Sequence, residues 1–152
     1  ISADHLVHAG EAEIDALVRA GVVAVMLPGT SFTLGAPYAP ARAFLEAGAE
    51  LALATDFNPG TCYCESLQMA IAIACQGMRL TPSEALRAAT RGAAAALGLT
   101  GQVGSLQPGA WCDLLVLRGE GRHDLGYHFG VNNVNDVIVS GRRVVTDSTI
   151  CS

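Results

Sequence analysis

Two short polar clusters in this chain carry side chains that can do chemistry. One is Asp4-His5; the other is Asp56, which is followed by Phe57-Asn58-Pro59-Gly60-Thr61. A carboxylate that is partly shielded from water beside a cavity can bind a metal ion or carry a proton between reactants. The same residue type also opens turns, because its side chain hydrogen-bonds the backbone two residues on. Asp56 alone therefore fits a site and a turn about equally. His5 alone fits a hydrogen-bonded structural histidine better than a reacting one. His8 stands in the polar opening of a helix and reads as solvated. Cys62 and Cys64 form a Cys-x-Cys pair, but no second Cys or His pair stands at zinc-site spacing, so a structural, unliganded role is expected.

Residues 11–20 place Ile14, Leu17 and Val18 at helical spacing, and Gly21 ends the pattern. Residues 22–27 are then a continuous apolar run of strand length, closed by Pro28-Gly29, which fits a strand covered on both faces. After a loop, residues 39–47 predict a short helix and residues 51–55 a second apolar strand that runs into Asp56. This alternation at short intervals is that of a parallel sheet or a (β/α) barrel. Catalytic groups of such folds sit in the loops after the C-terminal ends of strands. The Asp56 loop holds that position, and Asp4-His5 stands correspondingly before the first helix. Residues 1–4 carry no strand or helix signal of their own. Because the chain starts at Ile1, a segment upstream is expected to have been removed by processing or truncation.

Residues 65–78 predict a helix with Leu67, Ile71, Ala74, Cys75 and Met78 along one face. Thr81-Pro82-Ser83-Glu84 is a capping box with Pro at the first helical position, opening a helix through Leu86, Ala89, Ala93 and Leu97 to Gly98. From Gly104 the pattern turns to β. Residues 110–117 form a β-type run, and residues 134–145 read as strand, Ser140-Gly141 turn, strand. Trp111 is expected to pack in a core or at an edge. Hydrophobic residues make up 51% and charged residues 15%, which excludes a disordered chain. A net charge of −5 gives no reason to expect nucleic acid or an anionic membrane as partner. All basic residues are arginine, so lysine chemistry is absent. Five cysteines, an odd number scattered through apolar segments, fit a reducing compartment. No apolar run approaches membrane-span length, so a soluble, cytoplasmic protein is expected.

The stretches Ser2-Ala3-Asp4-His5-Leu6, Val25-Met26-Leu27-Pro28-Gly29 and, above all, Ala54-Thr55-Asp56-Phe57-Asn58-Pro59-Gly60 together resemble the imidazolonepropionases of the amidohydrolase superfamily. Tyr127-His128-Phe129-Gly130-Val131-Asn132 is similar to a segment typical of them. Gly104-Ser105-Leu106-Gln107-Pro108-Gly109, Asp113-Leu114-Leu115-Val116-Leu117 and Asp136-Val137-Ile138-Val139-Ser140-Gly141-Arg142 resemble motifs of the superfamily's C-terminal β-domain. The resemblance implies an α/β fold: the C-terminal part of a (β/α)8 TIM-like metal-dependent hydrolase barrel plus a small C-terminal β-domain segment. Residues 1–103 would run from the end of barrel strand six through strand eight and its helices, and residues 104–152 would be a β-sandwich-type segment.

It further implies one divalent metal, zinc or iron, and hydrolysis of the ring amide of 4-imidazolone-5-propanoate to N-formimino-L-glutamate. Asp56 matches a metal ligand and proton shuttle, and His5 a catalytic histidine near the substrate carbonyl. Asn58, Gly60 and Thr61 match a substrate-binding loop. A homodimer is implied on the same ground. The family's His-x-His pair and its further histidine ligand have no match among His5, His8, His123 and His128. The chain by itself is therefore expected to be inactive, since a catalytic zinc typically takes three protein ligands. Tyr127 and His128 are expected to pack the β-domain against the barrel. Two other readings stand beside this one: a heterocyclic-base deaminase using the same Asp56 and His5, and a non-catalytic fragment or interaction module.

Overall fold

A computed structural model describes residues 1–151. Its first half is a helix–strand alternation around three parallel strands. These are β1 (Ser2–Asp4), β2 (Val23–Met26) and β3 (Leu51–Leu53), ordered β1-β2-β3. Register pairs Asp4 with Val25, and Met26 with Leu53, so all three strands end on the same side. Residues 1–4 therefore differ from the sequence expectation. Three residues are too few to show an alternating pattern, and only the pairing with β2 makes them a strand.

Both faces of β2 are covered, as its unbroken apolar run predicts. Ala24 and Met26, with Leu51 and Leu53, pack against Ile14, Phe44, Ile71 and Met78. On the opposite face Val23, Val25, Leu27 and Ala52 meet Ala54, Ala95 and Ala96. Met26 and Phe44 are fully buried, each worth roughly 1.5–3 kcal/mol against the exposed state.

The flanking helices begin where their capping residues stand. α1 (Glu11–Arg19) is closed at its start by Glu13, whose Oε2 accepts from the Gly10 N–H at 3.1 Å. α2 (Pro28–Leu34) occupies part of the segment that reads as a loop in the sequence. Its Pro-Gly start reads as a turn, yet Pro28 takes the first helical position and Gly35, at φ 61°, ends the helix. α3 (Ala41–Glu46) follows, and α4 (Leu67–Gly77) starts at Ser66, whose hydroxyl accepts from the Met69 N–H at 3.2 Å. The capping box of α5 (Pro82–Arg87) forms as expected, with Thr81 and Glu84 bonded in both directions. Arg42 of α3 grips Glu84 through both terminal guanidinium nitrogens, Nη1 at 3.0 Å and Nη2 at 2.6 Å, and this bond first of all pulls the Glu84 carboxyl down to about 2.

The helical run from α5 is not uniform. Ala88–Gly92 forms a π-helical turn before α6 (Ala93–Ala96) resumes the α pattern. The Thr90 hydroxyl donates back to Leu86 O at 2.7 Å, and a Cβ on Gly92 would stand 1.7 Å from Leu51 O. The widened turn thus presses bare backbone directly onto β3.

Residues beyond Gly104 form a four-stranded antiparallel sheet, β4 (Leu114–Leu117), β5 (Val134–Val139), β6 (Arg142–Thr146) and β7 (Thr149–Ile150), in that order. The Ser140-Gly141 hairpin turn is present, both residues having positive φ. Between β4 and β5 a short helix, α7 (Asp124–Tyr127), packs on α4. Its Leu125 is buried in the core that covers β2, and Gly126 lies close over Cys75 and Pro82. Tyr127 and His128, expected at this contact, are exposed instead. The apolar side chain two residues before Tyr127 does the packing. Trp111 is also largely exposed, tied to the body by its N–H to Gln102 O at 2.8 Å. Among the described residues no helix is long and apolar enough to cross a membrane.

Candidate active site

The common end of the three parallel strands gathers one polar side chain from each. Just past β1 the chain turns sharply through His5 and Leu6, at φ 66° and 55°, with the Leu6 N–H bonded to Asp4 O at 2.9 Å. Just past β3, Asp56 has φ 53°. A left-handed backbone costs a non-glycine residue about 1–2 kcal/mol, and such residues gather at functional sites held in place by their surroundings. Here the surroundings are visible: Leu6 packs on the core, and the Asp56 carbonyl accepts from Asn58 Nδ2 at 2.8 Å.

The third contributor is Thr30, in the first turn of α2. Its hydroxyl donates a hydrogen bond to Asp56 Oδ2. His5 Nε2 faces the same oxygen at 3.9 Å. Thr30 is buried, Asp56 is partly covered, and His5 is half exposed at 49%. An open depression of about 810 Å³ adjoins them between α1 and α2, lined by His5, Leu17, Thr30, Leu34 and Pro37 among others. His8 is exposed at its rim.

The loop after Asp56 is built around Asn58. Its Oδ1 accepts from the Gly60 N–H at 2.9 Å, the Thr61 N–H at 2.7 Å and the Thr61 hydroxyl at 3.2 Å. The Asn58 N–H closes the loop on Cys62 O at 2.8 Å. Cys62 is fully buried beneath it, its thiol donating to Thr55 O at 3.3 Å. Phe57 and Tyr63 meet edge to face above, with ring centroids 6.2 Å apart. The backbone donors of Gly60 and Thr61 are thus spent on shaping the loop.

His5 and Asp56, far apart in sequence, are brought together, and the Asn58, Gly60 and Thr61 loop lies directly after Asp56. Thr30 was not singled out by its sequence. The signal that finds it is positional: it follows the end of β2 as His5 and Asp56 follow β1 and β3. As a metal site these residues are incomplete. They offer one carboxylate, with Asp56 Oδ1 taking no hydrogen bond among the described residues, and one imidazole. Among the described residues no group of three or more His, Cys, Asp or Glu side chains could hold a metal ion. Asp56 fits a metal as one ligand of a set whose other members these residues do not supply.

Residues 2–144 match the model of the amidohydrolase family. The chain belongs to that family. It is 47% identical over 141 residues to an imidazolonepropionase of Parabacteroides distasonis, covering 93% of this chain and 34% of that protein. Identity to an imidazolonepropionase of Haloarcula marismortui is 48% over 145 residues, covering 95% and 34%. The amidohydrolase chain thus spans about a third of the length of the curated relatives it matches. Among solved structures it resembles an adenosine deaminase from Xanthomonas campestris with bound zinc, at a TM-score of 0.87 and 25% identity, over 99% of this chain and 38% of that one. The fold is that of an amidohydrolase barrel, three of whose parallel strands are β1 to β3. The imidazolonepropionase resemblance carried by the Asp56 loop is matched by these relatives along nearly the whole chain.

Proposed function

We propose that this chain is the C-terminal part of an imidazolonepropionase, which hydrolyses the ring amide of 4-imidazolone-5-propanoate to N-formimino-L-glutamate. The observation that carries the reading is the pair His5 and Asp56, joined across the ends of two parallel strands. They stand in a chain whose curated relatives of 47–48% identity are imidazolonepropionases. Residues 1–103 belong to the barrel and residues 104–152 to the β-domain.

A divalent metal, zinc or iron, supplies Lewis acidity to such a reaction when bound. Asp56 would give it one oxygen, and the remaining ligands would come from outside these residues. Its carboxylate takes a proton from the attacking water and returns one to the departing ring nitrogen. His5, half exposed beside it, donates to the carbonyl oxygen as negative charge develops there. Asn58, Gly60 and Thr61 form the substrate-binding loop, with Asn58 holding its shape and Thr61 offering the hydroxyl whose internal bond is the longest, at 3.2 Å. The substrate is a small molecule, and a net charge of −5 favours neither nucleic acid nor an anionic membrane surface. The homodimer rests on the family resemblance, and the cytoplasmic setting on the odd, scattered cysteines.

The test is an absorbance assay of imidazolonepropanoate consumption by the full-length protein, beside ammonia release from amino-purines. Consumption that falls at least ~100-fold in Asp56→Asn supports the proposal. Ammonia release without imidazolonepropanoate consumption would replace it with the deaminase reading. Turnover of imidazolonepropanoate that ignores Asp56 would remove these residues from the site.

A further inference from the structure

Thr30 has no role in the mechanism above, yet its hydroxyl donates a hydrogen bond to the Asp56 carboxylate. A threonine within a helix ordinarily turns its hydroxyl back to the carbonyl four residues earlier. Thr33, in the same helix, does so, donating to Gly29 O at 2.9 Å. For Thr30, the third residue of α2, the residue four back is Met26, which ends β2 before the helix begins, so the helix offers its hydroxyl no carbonyl there. The Thr30 hydroxyl is spent on Asp56 instead.

The approach that permits this is built into the fold. A Cβ on Gly29 would stand 2.8 Å from Cys62 Sγ and 3.2 Å from Thr55 O, so only glycine lets the first turn of α2 lie against the Asp56 loop. Asp56 is then held twice, by Asn58 at its backbone carbonyl and by Thr30 at Oδ2. The two carboxylate oxygens become unequal. Oδ2 is bonded to Thr30 and faced by His5, while Oδ1 takes no hydrogen bond among the described residues.

We propose that Thr30 is the positioning residue of Asp56, fixing the carboxylate so that Oδ1 is presented for coordination and Oδ2 is kept beside His5. The inference rests on the hydrolase reading and adds to it a residue in the helix that follows the strand between those of His5 and Asp56. Removing a partner that orients a ligating carboxylate typically costs about 10–100-fold in activity or metal affinity.

The experiment uses the full-length protein loaded with zinc, carrying Thr30→Val, Thr30→Ser or Asp56→Asn. kcat and KM are measured on imidazolonepropanoate, zinc retention by competition with a chelator, and folding by the thermal midpoint. Valine keeps the branched shape and removes only the hydroxyl; serine restores it. The expected result is a fall of about 10–100-fold in kcat or in zinc retention for T30V, with KM little changed and T30S close to the parent. Should T30V melt early, Thr30→Ala set against T30S gives the same comparison. Wild-type turnover and zinc retention in T30V, with D56N inactive, overturn the role of Thr30 alone. Wild-type turnover in D56N overturns the hydrolase reading and this role with it.

Discussion

Gly29 is where packing and site geometry meet, and its substitution can be worked through from distances. In Gly29→Ala the new Cβ would stand 2.8 Å from Cys62 Sγ, roughly 1 Å inside an ordinary nonbonded contact. Cys62 is fully buried and anchored to Thr55 O, so it has little room to retreat. Overpacking of this kind costs about 1–3 kcal/mol. Cys62→Ala alone loses one buried hydrogen bond and its packing, about 1 kcal/mol. Together the two changes remove the main clash, leaving only the 3.2 Å contact to Thr55 O. The double variant should therefore be less destabilised than the sum of the single variants by about 1 kcal/mol or more. The assay is the thermal midpoint of all four full-length proteins, with activity measured in parallel. Because Thr30 is the next residue, G29A should lose activity out of proportion to its stability, and C62A should recover part of that loss. Strict additivity of the two substitutions would refute the contact on which this reasoning depends.

Three further outcomes follow from the same structure. The Glu84 carboxyl is held at about 2 chiefly by its bond to Arg42, so the stability it adds is complete above the ordinary glutamate pKa near 4.5 and drains away as pH falls from there through about 2. Glu84→Gln should flatten the thermal midpoint across that window, and an unchanged acid profile would count against the bond. Gly92→Ala places a Cβ 1.7 Å from Leu51 O and must part the π-helical turn from β3, lowering both thermal midpoint and activity; a fully active, equally stable variant would contradict the close approach. The 152-residue chain expressed alone presents the outer edges of β1 and β3, which carry no strand partner among the described residues, and exposed apolar groups on β4. Sedimentation should show self-association, and a monomer with one sharp melting transition would refute that.

Much of the frame was legible because it rests on local signals. The apolar run of β2, the Thr81–Glu84 box and the Ser140-Gly141 turn each specify their structure within a few residues. Asp56 was legible through its place after a strand, and His5 through the motif around it. What stayed hidden depends on contacts across the fold. β1 is three residues long and defined by its neighbour, and α2 begins with a Pro-Gly pair that serves turns equally well. The π-helical turn answers to the Leu51 carbonyl, and Thr30 acquires its partner only because Gly29 lets two segments touch. The expectation that Tyr127 and His128 pack the tail overlooked Leu125, whose burial is decided by α4.

The burial of Leu125 bears on the ancestry of the two regions. A sheet joined only by a linker can be traded between relatives as a cassette. Here a tail side chain completes the core over the parallel strands, and a Cβ on Gly126 would crowd Cys75 Sγ at 3.1 Å and Pro82 Cγ at 3.2 Å. A hybrid carrying one relative's barrel and another's tail inherits a mismatched plug, so the positions around Leu125, Cys75 and Pro82 have to change in concert. The two sheets therefore share one core, and exchanging either of them alone would disturb it.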